Sequence, residues 1–165
     1  MEKSKEYFIF QQAELFFRAT NLISSELTKD IGESLEGKEL DLSIGIPEMV
    51  NGVFSIELYL KCLNYIRNNE IKRLHNIIDL YNSLPEEDQA AIRSRYRSTK
   101  SSDPNRQEFL DRNFDDLLSA VDRAFTEWRY IYEYPNHGKK TSDMNRLILA
   151  VRDYLLAIRP DLKND

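Results

Sequence analysis

The sequence predicts an all-α protein, an up-and-down helical bundle with four long core helices and one or two short inserted helices. The 165 residues include only five Gly and five Pro, which suits a helical protein better than a loop-rich β fold. Apolar residues recur at helical spacing along most of the chain. Because a chain of this length can bury one substantial core, we expect a single domain over residues 1–165.

One predicted helix, from Pro47 to about Asn68, is central to the bundle. At 100° per residue its apolar side chains point in nearly every direction, which is typical of a helix that is buried on all sides. Proline followed by Glu48 suits a first helical turn. Glu57 and Lys61 are four residues apart on one face, in the order that favours an ion pair. We therefore predict a half-buried Glu57–Lys61 pair.

The other helices follow from periodicity and from residues that favour helix ends. Ile9, Ala13, Phe16 and Thr20 recur at steps of four and three, which indicates a first helix. Predicted helices are residues 4–28, 70–83, 86–96, 104–134 and 141–158, in addition to the central one. The Gly-containing segment 29–45 and the polar segment 97–102 are predicted to be loops.

Composition restricts the classes of function. The formal net charge of −5 argues against a protein that coats nucleic acid through its overall field. A single cysteine, Cys62, excludes an intrachain disulfide and a cysteine-based zinc site, and favours a reducing, cytoplasmic setting. The chain has no membrane-spanning apolar run and no signal peptide, so we expect no membrane association. With two histidines and no helix-repeated Glu-x-x-His spacing, we expect no metal or other cofactor.

A basic island interrupts the acidic chain. Five basic residues and one acidic residue lie between positions 93 and 106. The candidate RNA-binding residues are Arg93, Arg95, Tyr96, Arg97 and Lys100, with the Tyr96 ring available to stack on a base. The alternative interpretation is a solvated polar loop without a ligand.

Two segments resemble HEPN-domain proteins. Residues 54–61 read Phe-Ser-Ile-Glu-Leu-Tyr-Leu-Lys, and residues 73–81 read Arg-Leu-His-Asn-Ile-Ile-Asp-Leu-Tyr. They are similar to the Ser-x-Glu-x-x-x-Lys helix and the His-Asp-Leu-x-x-Leu segment of that family. Asn76 stands where the family has aspartate. Residues 125–133 also resemble the end of a long helix in some branches, so the resemblance extends over about residues 7–158.

The resemblance implies a metal-independent ribonuclease of a bacterial toxin–antitoxin or antiphage system. Active members dimerise and build a site from an arginine, four to six intervening residues and a histidine. Histidine moves the proton and arginine holds the phosphate. Here Arg129 and His137 take these roles, but seven residues separate them and Pro135 intervenes. Supporting residues are Glu57, Lys61, Tyr132 and Asn136. The implied partners are a second copy, an RNA substrate and a nucleotidyltransferase-type antitoxin.

Other interpretations stay open at this point. The same fold without catalysis predicts a nucleotide-binding or protein-interaction module, and a third hypothesis is a structural adaptor. Arg129 also suits an ion pair on its own helix, or a contact with Glu57 across the bundle. His137 suits an exposed turn. His75, beside an apolar position on a predicted helix, is expected to pack or to cap.

Overall fold

The structure is a computed structural model that describes residues 3–34, 45–98, 114–129 and 142–163. Within these ranges the chain forms six α-helices and a short 3₁₀ helix, with no strand. The helices are α1 (Lys5–Ser34), α2 (Gly45–Asn68), α3 (Ile77–Asn82), α4 (Glu86–Ser98), α5 (Phe114–Arg129) and α6 (Ser142–Ile158), followed by the 3₁₀ helix (Pro160–Lys163). The predicted all-α helical bundle is confirmed. No helix in the described ranges combines the length and the apolar character needed to span a membrane.

Helix α2 lies at the centre of the bundle. It contacts α1, α3, α5 and α6, and its side chains Ile56, Tyr59, Leu60 and Leu63 are fully buried. The prediction of a helix buried on all sides is confirmed. Gly52 permits the close approach of α6, because a side-chain carbon at that position would overlap the end of the buried Met144 side chain.

The predicted helix over residues 70–83 is wrong in its first half, since only Ile77–Asn82 is helical. Asn69 adopts a left-handed conformation with φ 55°, and its N–H donates to the Tyr65 carbonyl over 2.7 Å, which ends α2. Asn76 then caps α3, since its Oδ1 accepts from the Asp79 N–H at 2.8 Å. Local polar groups therefore override the apolar periodicity of residues 70–76.

Two other helices extend beyond their predicted ends. Helix α1 continues to Ser34, so the predicted loop over residues 29–45 begins later than expected. Near this end Lys29 pairs with Glu26 three residues earlier, a contact that favours helix. Helix α4 continues to Ser98. The predicted parts of the long helix at 104–113 and 130–134 lie outside the described residues.

Polar contacts attach α1 to the rest of the bundle. Glu14 accepts hydrogen bonds from the Tyr59 hydroxyl of α2 and, at 2.6 Å, from Arg152 Nε of α6. Arg159, just after α6, lies 2.9 Å from the Glu6 carboxylate. These contacts hold α1 along both α2 and α6.

A buried carboxylate connects α2, α4 and α6. Asp88 has no exposed surface, and it accepts from Arg67 Nε at 2.7 Å and from the Tyr154 hydroxyl at 2.5 Å. The hydrogen bonds to Asp88 raise the pKa of the Arg67 guanidinium above its usual value. Since a buried carboxylate without partners is costly, this network specifies how α4 sits on the other two helices.

We expect Asp88→Ala to lower the free energy of unfolding by about 2–3 kcal/mol, because Arg67 and Tyr154 lose their shared acceptor. The loss is limited because Arg67 is partly exposed and water can replace part of the interaction. Urea denaturation followed by circular dichroism measures the change. Glu87→Ala is the control, since Glu87 is an exposed acid in the same helical turn. Equal effects of the two substitutions would contradict a structural role for the buried network.

The single cysteine should be unreactive in the folded protein. Cys62 is fully buried, and its Sγ donates to the Glu6 carbonyl at 3.4 Å. Burial, with a smaller contribution from the charge of Glu6, raises the pKa of the Cys62 thiol to about 12. At pH 8 roughly one molecule in 10,000 then carries a thiolate, against about a quarter for an ordinary cysteine. A thiol reagent such as DTNB should label the denatured chain at once and the native chain slowly. Rapid native labelling would contradict the burial.

Candidate functional site

Three side chains meet beside the middle of α2, where the segment before α3 passes over it. The Glu57 carboxylate is almost fully buried, and its Oε1 lies 2.7 Å from Lys61 Nζ and 3.0 Å from His75 Nδ1. The predicted Glu57–Lys61 ion pair is confirmed. It is more buried than expected, because the Glu57 and Lys61 side chains are only 6% and 12% exposed.

The backbone around His75 is fixed from two directions. The left-handed Asn69 turns the chain back toward α2, which brings His75 over Glu57. On the other side, Asp122 of α5 accepts from Asn76 Nδ2 at 2.8 Å and from the Ile77 N–H at 2.7 Å. The residue that follows His75 is thus tied both to α3 and to α5. His75 is held between these points, so its contact with Glu57 is a consequence of the fold.

His75 differs from the other two members because its side chain is 75% exposed. A carboxylate can only accept hydrogen bonds, so the bond to Glu57 places the proton on Nδ1 and leaves Nε2 as an acceptor. No hydrogen bond to Nε2 from a described residue is present. The expectation that His75 packs or caps is therefore wrong, since Asn76 is the cap and the imidazole is open to solvent.

The cluster joins a buried carboxylate, which is paired with a lysine, to an imidazole that is open to solvent. Lys61 offsets the cost of burying the Glu57 carboxylate, and the same carboxylate oxygen lies 3.0 Å from Nδ1 of the His75 ring. Lys72 and Arg73 precede His75 in the exposed segment between α2 and α3. Glu70 lies 3.9 Å from Lys72 on the same segment, so the charges beside the imidazole are of both signs.

The structure leaves the predicted catalytic pair untested. Arg129 is the last residue of α5, and its side chain lies outside the described residues. Tyr132, Asn136 and His137 also lie outside them. The assignment of Arg129 and His137 to catalysis stays a prediction, and so does a contact between Arg129 and Glu57.

Tyr96 is not available to stack on a base. Its side chain is 1% exposed, and its ring packs edge-on against Phe114 with the centroids 5.1 Å apart. Arg146 of α6 donates from Nε to the Tyr96 carbonyl over 2.9 Å. The burial of Tyr96 argues against a stacking role, because position 96 lies on α4 one helical turn after the buried Ile92 and faces inward with it.

Two arginines of the basic island, Arg93 and Arg95, already have protein partners. Arg93 lies 2.6 Å from Asp115 and its guanidinium covers the Phe114 ring, 4.4 Å from the centroid. The hydrogen bond between them raises the pKa of Arg93 and lowers the pKa of Asp115. The Arg95 guanidinium lies 5.0 Å from the centroid of the Tyr154 ring. Arg97 is exposed on α4, whereas Lys100 lies outside the described residues. These contacts give Arg93 and Arg95 structural roles.

The contact between Glu57 and His75 was missed from the sequence. The two residues are eighteen apart, and helical periodicity relates only residues of one helix. A usable signal was present in Asn76 followed three residues later by Asp79, which is a pattern of helix starts. An N-cap at position 76 places His75 just outside a helix and leaves it able to turn toward α2.

We expect Glu57→Gln to lower the free energy of unfolding by about 1–3 kcal/mol, because the buried Lys61 ammonium loses its charged partner. Glu70→Gln is the matched control, since Glu70 lies 3.9 Å from Lys72 and is 70% exposed. That pair should contribute little. Thermal unfolding of both variants decides the point, and an unchanged melting temperature in Glu57→Gln would contradict a buried, paired charge.

Comparisons of the chain with protein families, with curated proteins and with solved structures find no match. In the part of the chain that the structure describes, no three His, Cys, Asp or Glu side chains cluster in a way that could hold a metal ion. The functional conclusions below therefore rest on the Glu57–Lys61–His75 cluster and on the resemblance of the segments that carry it.

Proposed function

We propose that the protein is a HEPN-like helical bundle, with α1, α2, α5 and α6 as its four core helices, and that it is an RNA-directed, metal-independent endoribonuclease of a bacterial defence or toxin–antitoxin system. The observation that best supports this proposal is the exposed His75 imidazole bound through Nδ1 to the buried Glu57 carboxylate. Both residues belong to the segments that resemble the family.

Cleavage of RNA without a metal requires two proton transfers. The 2′-hydroxyl gives its proton to a base as its oxygen bonds to the adjacent phosphorus, and the departing 5′ oxygen takes a proton from an acid as the P–O5′ bond breaks. His75 suits the first step, because its Nε2 can accept the proton and Glu57 then stabilises the imidazolium. The products are a 2′,3′-cyclic phosphate and a 5′-hydroxyl.

In this proposal Arg129 and His137 complete the site, as the resemblance implies. Arg129 holds the scissile phosphate through paired N–H donors, and His137 supplies the proton to the leaving oxygen. Glu57 and Lys61 position His75, and Tyr132 and Asn136 support the site. Lys72 and Arg73 in the segment before His75 attract the RNA backbone.

The second candidate is a HEPN-like module that has lost catalysis and binds a nucleotide or a protein, including a nucleotidyltransferase-type partner. Two observations favour it. Arg129 and His137 are seven residues apart with Pro135 between them, beyond the family spacing. In addition, Lys61 and His75 share one oxygen of Glu57, so the carboxylate has a structural role even without catalysis.

The proposal predicts cleavage of single-stranded RNA in the presence of EDTA. We expect His75→Ala and His137→Ala each to lower the rate at least about 10²-fold, the usual contribution of a positioned acid or base. Glu87→Ala, on exposed α4 surface, should keep the wild-type rate. Gel analysis of a labelled oligonucleotide and of total bacterial RNA gives the rates, and the pH–rate profile should lose one limb in His75→Ala.

The outcomes separate the hypotheses. Absence of cleavage by the wild type contradicts the ribonuclease, and RNA or nucleotide binding without cleavage supports the inactive module. If the His75→Ala variant still cleaves RNA with an unchanged pH profile, His75 takes no part in the proton transfers. Cleavage that survives His137→Ala removes His137.

A further inference from the structure

Asp122 of α5 is bound to the start of α3 through both of its carboxylate oxygens. Its Oδ1 accepts from the Ile77 N–H at 2.7 Å, and its Oδ2 accepts from Asn76 Nδ2 at 2.8 Å. Ile77 is the first residue of α3 and is buried. The first N–H of a helix has no partner within that helix. Asp122 therefore supplies, from another helix, the acceptor that the buried start of α3 needs.

The same contact fixes which way the Asn76 amide points. Asn76 Oδ1 accepts from the Asp79 N–H at 2.8 Å, and a backbone N–H can only donate. The Asp122 carboxylate can only accept, so it takes the NH2 end of the amide. Each end of the amide thus faces the one kind of group that it can bond. Turning the amide over would break both hydrogen bonds, so the cap of α3 and the contact with α5 hold each other in place.

His75 directly precedes the residue that this network holds. Its Nδ1 lies 3.0 Å from Glu57 Oε1, but its side chain is 75% exposed, so packing does little to hold the ring. Residues 70–74, which lead up to it, are exposed or half-buried and offer no anchor in the core. The place of the imidazole over Glu57 therefore depends on where the backbone is fixed at residues 76 and 77, which is where Asp122 binds.

We propose that Asp122 is a positioning residue for His75. By holding Asn76 and the Ile77 N–H, it keeps the imidazole over the Glu57 carboxylate with the proton on Nδ1. The kinetic part of this inference rests on the proposed function, in which His75 accepts the proton of the 2′-hydroxyl. Only the tautomer with its proton on Nδ1 has a lone pair on Nε2 for that step. Asp122 acts through the backbone of the histidine and not on the RNA itself.

Helix α5 also connects His75 with the other half of the proposed site. Arg129, which holds the phosphate in that proposal, ends α5 seven residues after Asp122. Seven residues are about two turns of a helix, so the backbone positions 122 and 129 lie about 10 Å apart along one side of α5. Because the helix fixes this spacing, Asp122 ties the segment of the histidine to the helix that carries the arginine.

Asp122→Asn is the sharpest variant, because it replaces one oxygen by NH2 and leaves the size of the side chain nearly unchanged. The amide at position 122 can accept from the Ile77 N–H or from Asn76, but not from both, so one hydrogen bond is lost. Adding Asn76→Asp restores it, because a carboxylate at position 76 accepts both from that amide and from the Asp79 N–H. The double variant therefore keeps every hydrogen bond of the wild type with the two side chains exchanged.

The tautomer of His75 is the first readout, measured by nitrogen NMR at alkaline pH. The chain has two histidines, so in a His137→Ala background the remaining imidazole signals come from His75. We expect the Nδ1–H form in that background, a mixture with the Nε2–H form after Asp122→Asn, and the Nδ1–H form again in the double variant. Asp115→Ala is the control, since Asp115 also lies on α5 and bonds Arg93 of α4. An unchanged tautomer in Asp122→Asn, no recovery in the double variant, or an equal change in Asp115→Ala overturns the proposal.

RNA cleavage, with His137 intact, separates this inference from the proposed function. Asp122→Asn should lower the rate at saturating RNA about 10-fold, the effect of one hydrogen bond to a charged group, and leave the RNA concentration for half-maximal rate unchanged. Adding Asn76→Asp should restore the rate. If the tautomer responds but the wild type cleaves no RNA, the positioning role stands and the ribonuclease is contradicted. If the wild type cleaves RNA and neither tautomer nor rate responds to Asp122→Asn, the ribonuclease stands and the positioning role is overturned.

Discussion

The burial of α2 on all sides is the constraint on which the rest of the structure depends. A polar group in the buried part of this helix is cut off from solvent, so it needs a partner within the protein. Glu57, Lys61 and Asn64 lie along one face at steps of four and three. Asn64 donates to the Leu80 carbonyl at 3.0 Å and accepts from the Ser83 hydroxyl at 2.8 Å, so it fixes α3 against α2. The polar face of α2 thereby determines where the chain returns.

Two of the buried carboxylates on or beside α2, Asp88 and Glu57, have different chemical possibilities. Asp88 is enclosed, and its partners Arg67 and Tyr154 complete a network that connects helices. Glu57 is equally well paired by Lys61, but its second partner is an imidazole that is mostly exposed. A molecule in solution can therefore reach the histidine, while the carboxylate behind it is buried. This difference in access, more than burial or pairing, distinguishes the candidate site from the structural network.

The sequence predicts well what depends on residues within one helix. The position of α2, its burial and the Glu57–Lys61 pair all follow from spacings of three and four. The sequence predicts helix bounds poorly where polar residues end or cap a helix despite a continuing apolar periodicity. Asn69 and Asn76 do so, and they interrupt the helix expected there. The contact between His75 and Glu57 joins different elements, so no periodicity encodes it. Tyr96 shows the same limit, since the ring against which it packs, Phe114, belongs to another helix.

The position of α1 relative to α2 has a consequence for any dimer. Tyr59 and Cys62 contact α1, and on the α2 helix they lie opposite Glu57, which faces His75. Helix α1 therefore covers the side of α2 that faces away from the candidate site. The resemblance implies a site built across a dimer, and such a site would need the face that carries His75, not the face that α1 covers, at the contact between the two copies.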